Sequence, residues 1–446
     1  NALIPAQKIA ETALRAAEEI HFFHWELEFP EVFFAPSTPG GQDVQLRKDG
    51  GFDAVIGNPP YDVLEKAVGE VRPATLDAFV EFLNTTPLYQ YALGGKLNIF
   101  RFFVIRWLDV LQPRGQFGLI VPLSIATDLG CAALRRWLLT EHTLHQIDAF
   151  PDRYDPNARI FEEAKTSVAI LCGTQHPNQD GSVTIVTRSG ATFDTPTWQV
   201  STNKQEIEVV DPVGFTFPIT TQAIWDIMLK IHRSASTVRC RDIAEVGAGE
   251  IHLTYYKQYF TANPLDSEVI RGAEIQRFHF SEILSQGEKL FLDLTTAKKA
   301  KLIPRRFNRS RIGMQRLTGT EDSYRILANL VDPNVHLAHT TQFVDARPPY
   351  EVGYILAILS SKIIDQRFRV TSGTTNVGVY ELEQLPIRRI DFTTPPERRT
   401  ALVDQGRDLY ARSLSEGPAA VLAFTAERLE QNETDVIHDL LAFLAQ

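Results

Sequence analysis

The residues with the clearest chemistry are Asn58-Pro59-Pro60-Tyr61. Asn58 brings a side-chain carbonyl, and Pro59 sets a main-chain carbonyl beside it in a backbone fixed by two prolines. Both oxygens accept hydrogen bonds, and neither proline offers a competing N–H. Such a pair suits a planar NH2 group: two accepted bonds hold the nitrogen and help direct its lone pair at an electrophile. Tyr61 adds an aromatic face for stacking. On its own, Asn-Pro-Pro is a common turn. Its placement is more informative, because it follows Phe52–Gly57 (FDAVIG), an apolar run that reads as a short buried strand. In open α/β sheets, ligands bind at the carboxyl ends of strands.

The elements around this motif alternate. Residues 4–20 read as a helix, with Ile4, Ile9, Leu14 and Ile20 on helical spacing. An aromatic segment follows at 21–33, then a loop rich in glycine and proline at 36–51. Phe100–Leu111 reads as a helix stopped by Pro113 and Gly115, and Gln116–Pro122 as a second buried strand. Ala132–Glu141 is a further helix, and Leu144–Phe150 and Thr166–Cys172 are two more strands. The pattern predicts a mostly parallel α/β sheet, with the last pair as an antiparallel hairpin at its edge. Polar residues then dominate, giving a division into 1–173, a linker with a connecting helix at 174–236, an α/β domain at 237–390 and a helical closing element at 391–446.

Composition narrows the classes. The 446 residues include 45 basic and 55 acidic side chains, a net charge of −10, which argues against a small protein that coats nucleic acid. A large enzyme can still bind DNA through one basic face. Lys298, Lys299, Lys301, Arg305, Arg306, Arg309 and Arg311 lie in a stretch without an acidic residue and are the first candidates for phosphate contact. Arg271, Arg277, Arg367 and Arg369 are weaker ones, and Tyr255, Tyr256, Lys257 and Tyr259 could approach a groove. Three scattered cysteines fit the reducing cytoplasm, and the histidines form no metal-binding motif, so no metal is expected. No apolar run is long enough for a membrane helix.

FDAVIGNPPY resembles motif IV of the amino-group methyltransferases that use S-adenosyl-L-methionine, in the gamma-class order. HFFHWELEFPEVF at 21–33 resembles the segment before this motif in large restriction–modification adenine methylases, and the stretch at 97–139 resembles the helix, strand and helix after it. RIFEEAKTSVAIL at 159–171 resembles the region that supplies a second stacking aromatic. VIRGAEIQRF at 269–278, LAILSSKIIDQRFR at 356–369 and ELEQLPIRR at 381–389 resemble a TaqI-like target-recognition domain. The resemblance implies a Rossmann-like methyltransferase sheet and methylation of adenine N6 in double-stranded DNA, in restriction–modification or phage defence. Asn58 and Pro59 would hold the amino group, and Tyr61 and Phe161 would stack on the flipped base.

One expected part does not appear. The Gly-rich loop that binds S-adenosyl-L-methionine should precede Asn58, yet only 57 residues do, too few for three βα units of about 30 residues each. The chain also starts at Asn1 rather than methionine. The expectation is a carboxyl-terminal portion whose methyl-donor pocket lies mostly elsewhere, on missing sequence or a partner subunit, beside other defence proteins. Such a chain is inactive alone. Three alternatives remain. An inactive or partner-dependent specificity subunit needs no NPPY, and a protein-glutamine methyltransferase needs no long basic extension. A metal nuclease would use Asp152 with Glu163 and Lys165 in a weak PD…ExK pattern.

Overall fold

The computed structural model describes residues 23–446 apart from 39–40, 42, 65–73, 153–154, 162, 164, 178–180, 195, 284–286, 303, 306 and 321. The helix expected at 4–20 and the candidate Arg306 lie outside the described residues. The chain divides into two compact units, one of residues 1–123 and 133–195, the other of residues 124–132 and 196–446.

The first unit is built on a mixed α/β sheet. Its strands are β1 (Phe52–Gly57), β2 (Leu111–Pro122), β3 (Thr143–Phe150), β4 (Val168–Thr174) and β5 (Ser182–Thr187). They run in the order β1-β2-β4-β3-β5. β1 is parallel to β2, and β3 to β5, while β4 runs antiparallel to both β2 and β3. The β3–β4 pair is therefore a hairpin as expected, but it does not lie at the edge. β4 inserts between β2 and β3, and every residue of Val168–Cys172 has a partner on both sides. Val168, Ala169 and Leu171 are fully buried as a result. The division at 173 also shifts, because β5 continues this sheet beyond it.

Two helices support the strands that matter for the motif. Helix α1 (Ile99–Asp109) starts at Asn98, whose side chain accepts the Phe100 N–H. Phe100, Phe102, Val104, Ile105 and Leu108 form its buried face. Helix α2 spans Ala132–Glu141 and buries Leu134 and Leu138. The aromatic segment folds into two one-turn helices, Trp25–Glu28 and Pro30–Phe33. Trp25, Phe29 and Phe33 each set a ring edge-to-face on Phe52, at 5.3 to 5.6 Å between centroids. These aromatics clamp the start of β1.

The expectation that FDAVIG is buried is corrected. β1 ends the sheet, and Asp53, Ala54 and Ile56 are exposed, Ile56 to 89%. The apolar run reflects a strand with an uncovered face and an open hydrogen-bonding edge among the described residues.

In the second unit, helix α3 (Gln222–Arg233) is capped by the Thr221 hydroxyl, and its Trp225 indole N–H donates to Thr202. A four-stranded antiparallel sheet follows, formed by β6 (Ala244–Ala248), β9 (Arg311–Gln315), β10 (Ala328–Val331) and β11 (Thr341–Ala346), in the order β6-β11-β9-β10. Between β6 and β9 the chain forms β7 (Ser267–Ile270) and β8 (Leu290–Leu292), which belong to a second small sheet. Helices α4 (Val352–Leu359) and α5 (Lys362–Thr371) cover the larger sheet, with Ile355, Leu359 and Phe368 packed on Ile312, Met314 and Val344. Helices α6 (Pro396–Glu416), α7 (Ala419–Glu430) and α8 (Thr434–Leu444) close the unit around Val403, Phe424, Val436 and Leu440. No helix among the described residues is long and apolar enough to cross a membrane.

Candidate functional site

Asn58 lies one residue beyond the end of β1, and Gly57 pairs with Leu119 of the parallel β2. The NPPY turn is thus at the carboxyl edge of two neighbouring strands. Asn58 and Pro60 are exposed, Pro59 is buried and Tyr61 is half-buried. The turn is tied down afterwards. The Leu64 N–H donates to the Leu97 carbonyl at 2.8 Å, and the Ile99 N–H to the Asp62 carbonyl at 2.9 Å. The start of α1 therefore anchors the segment that leaves the motif.

Gly57 also has a specific role. A Cβ on this residue would meet the Trp107 ring of α1 at 2.4 Å. Only a hydrogen fits between the strand end and that ring. Gly57→Ala is expected to overpack the contact at a cost of about 1–3 kcal/mol. A lower urea midpoint with unchanged circular dichroism would show this. An unchanged midpoint would mean that the ring yields freely.

Tyr61 is fixed at both ends. Its hydroxyl donates to the Ile120 carbonyl of β2 at 3.3 Å. Burial pushes the phenol pKa up to about 12, so the hydroxyl stays protonated at neutral pH. Its ring meets Phe161 edge-to-face, 6.2 Å between centroids and 63° between planes. Phe161 sits in the loop between β3 and β4, which leaves the same carboxyl edge of the sheet, since Phe150 and Pro122 both pair with Val168. The structure thus brings Asn58, Pro59, Tyr61 and Phe161 to one edge from two separate loops.

The arginines of the second unit divide sharply. Arg311 is 0% exposed and pairs with Glu250 at 2.7 Å, its guanidinium 3.6 Å from the Phe307 ring centre. Arg271 is buried and bonded to Glu274 at 2.6 Å. Arg367 is buried too, and donates to His232, Thr371 and the Val210 carbonyl. These three are structural, which corrects their assignment to DNA, because a buried guanidinium cannot reach a phosphate.

Others are partly engaged. Arg305 is held by both oxygens of Glu245 and lies over Phe307. Arg309 donates from Nη2 to Asp345 Oδ2 at 3.0 Å, and its Nε lies 2.8 Å from Oδ1 as an ion pair. Arg369 bonds Asp365, and Arg277 bonds the Ser360 carbonyl while stacking on Tyr324. Lys298, Lys299 and Lys301 are exposed. The stretch that looked free of acid is partly neutralised by acids of β6 and β11, which linear sequence does not bring near. Of the aromatic group, Tyr255 is exposed and Tyr256 buried. In the PD…ExK pattern, Asp152 accepts the Gly190 N–H at 2.9 Å, and Glu163 is exposed. No cluster of three or more His, Cys, Asp or Glu that could hold a metal occurs among the described residues.

Residues 4–156 match the Eco57I restriction-modification methylase family. The match contains the NPPY turn and ends before Phe161. A protein of Methanocaldococcus jannaschii, named for type II restriction enzyme and methyltransferase activity, is 26% identical over 153 residues. That stretch is 33% of this chain and 10% of the relative. Among solved structures, the DNA-bound type IIL restriction-modification enzyme MmeI aligns with 86% of this chain and 54% of its own, at 11% identity and a TM-score of 0.45. The type IIG restriction endonuclease BpuSI aligns with 76% of this chain and 47% of its own, at 12% identity and a TM-score of 0.33. The chain spans about half the length of these two proteins or less.

Proposed function

We propose that this chain carries the base-holding half of a DNA methyltransferase that modifies adenine N6, joined to a TaqI-like recognition unit, and that it serves restriction–modification or phage defence. The observation that carries this reading is the convergence of Asn58, Pro59, Tyr61 and Phe161 at one sheet edge. The family match over residues 4–156 supports it.

The chemistry assigned to these residues is positioning. Adenine leaves the duplex, since its amino group is paired inside the helix. Asn58 Oδ1 and the Pro59 carbonyl accept the two N6 hydrogens. Tyr61 offers a fixed aromatic face. Two carbon contacts of about 3.5–4.0 Å place parallel rings about 7–8 Å apart. At 6.2 Å and 63°, Phe161 must swing outward before a base can lie between them.

The described residues do not fit S-adenosyl-L-methionine. Those before Asn58 form two one-turn helices, a two-stranded hairpin (Phe34–Pro36 with Val44–Leu46) and β1, with no Gly-rich strand-to-helix turn. No step is therefore assigned to the donor here. The open edge of β1, with Ile56 outward, suits addition of another strand from a preceding segment or a partner subunit. This same edge favours a partner-dependent subunit as the second reading.

The first test is calorimetric titration of S-adenosyl-L-methionine into the 446-residue chain, with tritiated methyl transfer to mixed duplex DNA assayed alongside. Duplex binding with neither donor binding nor transfer is the expected result. Donor binding with transfer would show that the chain holds a complete site.

A further inference from the structure

The end of β6 at Ala248, the end of β9 at Gln315 and the start of β11 at Thr341 lie together, since Ala248 pairs with Gln342 and Gln315 with Thr341. The loops leaving this end are joined to one another. The Gly249 N–H donates to Thr341, the His339 N–H to Ile251, and the Val377 N–H to Arg316. Three loops, at 249–256, 338–340 and 372–378, thus meet around the segment 316–318.

The side chains gathered there differ from those of the basic stretch. Arg316 donates from Nη1 to the His339 carbonyl at 3.2 Å and from Nε to Asn376 Oδ1 at 3.3 Å. These bonds aim the guanidinium, and no described group engages its Nη2. The Asn376 amide nitrogen likewise donates to no described group. His252 stacks between Tyr255, at 4.1 Å and 23°, and His339, at 4.3 Å and 12°. His252 Nδ1 is buried and has no hydrogen-bond partner among the described residues. Leu253 N–H donates to His339 Nδ1, so a neutral His339 ring carries its proton on Nε2. Tyr255 is 68% exposed and Leu317 is 60% exposed.

We propose that Arg316, Asn376, Leu317 and the Tyr255–His252–His339 stack form the base-reading surface for duplex DNA. The proposal rests on the DNA-methyltransferase reading and specifies where that reading places sequence selection. Arginine and asparagine are the side chains whose donors and acceptors match guanine and adenine edges, and an exposed aliphatic group suits a thymine methyl. Stacked rings offer a π-face to a base. Lys298, Lys299 and Lys301, by contrast, are exposed point charges suited to phosphate, which positions the duplex without reading it.

The experiment is selection from a pool of duplexes with a randomised core, using the whole chain, followed by sequencing of the retained DNA. The unaltered chain is expected to enrich a motif. Arg316→Ala should relax one or two positions of that motif and weaken binding to it by about 5- to 150-fold. Tyr255→Ala, at a ring 68% exposed, should weaken motif binding about fivefold or more. Replacing Lys298 and Lys299 together should lower binding to all sequences and flatten its salt dependence, with the motif unchanged. An enriched motif left intact by both Arg316→Ala and Tyr255→Ala would overturn the assignment and leave the DNA reading standing. Retention of duplexes without any motif would also overturn the assignment. No retention at all by the unaltered chain would overturn the DNA reading beneath it.

Discussion

Asn58→Ala abolishes methyl transfer and leaves duplex binding within a few-fold; this is the expected result with the largest effect. The Asn58 side chain is exposed at the end of β1, so its loss should disturb folding by less than about 0.5 kcal/mol. In the proposed reading it removes one of two acceptors for the amino group. A group that stabilises charge developing at the reacting centre accounts for about 10²–10³ in rate by itself. In that reading the same group also fixes the lone pair, so the loss should be at least this large. The measurement is single-turnover incorporation of tritiated methyl in the assembly that includes the donor pocket, beside duplex binding by anisotropy. Equal losses in both would sink the assignment, because Asn58 would then be a DNA contact or a structural residue.

The second large effect concerns stability. Glu250→Ala is expected to cost about 3–5 kcal/mol, because it leaves the buried Arg311 guanidinium without its counter-charge. Glu250 Oε1 also accepts from His336 Nδ1 at 3.0 Å and from the Leu337 N–H at 3.1 Å. Glu250→Gln keeps an acceptor but no charge and should cost less. Burial pushes the Glu250 carboxyl up, but the His336 hydrogen bond and the charge and hydrogen bond of Arg311 outweigh it and hold the group below its ordinary value. The sign follows from linkage. A depressed folded pKa gives stability that is fully present above the unfolded value of about 4.3 and is lost as pH falls through the folded one. Urea midpoints measured from pH 7 down through that window should fall for the native chain, and less steeply for Glu250→Ala. Identical pH slopes would remove Glu250 as the source.

The Asn58–Tyr61 turn at the end of β1 was readable because its information is local. The order Phe52–Gly57, Asn58, Pro59, Pro60, Tyr61 sets strand, end and turn within ten residues. The limits of α2, the strand β1 and the approximate span of α1 follow from local spacing in the same way. What could not be read depends on distant partners. Nothing near FDAVIG says that it ends the sheet, and nothing near Val168–Thr174 says that it enters the middle. The basic stretch misled for the same reason. Glu245, Glu250 and Asp345 are far in sequence from Arg305, Arg311 and Arg309, and the fold of the second unit brings them into contact. The cluster at Arg316 was invisible because its members come from four separate segments of the chain.

Residues 124–132 carry a practical consequence for module exchange. They follow β2 directly, yet group with residues 196–446. Ile125 and Ala126 are fully buried, the Phe217 N–H donates to the Ala126 carbonyl, and Gly373 sits against Thr127 so closely that a Cβ would lie 2.3 Å from its hydroxyl. A chimera cut once near residue 195 would carry the second unit away from a strip of its own packing. A graft intended to transplant sequence preference needs two junctions, so that this nine-residue excursion travels with its neighbours.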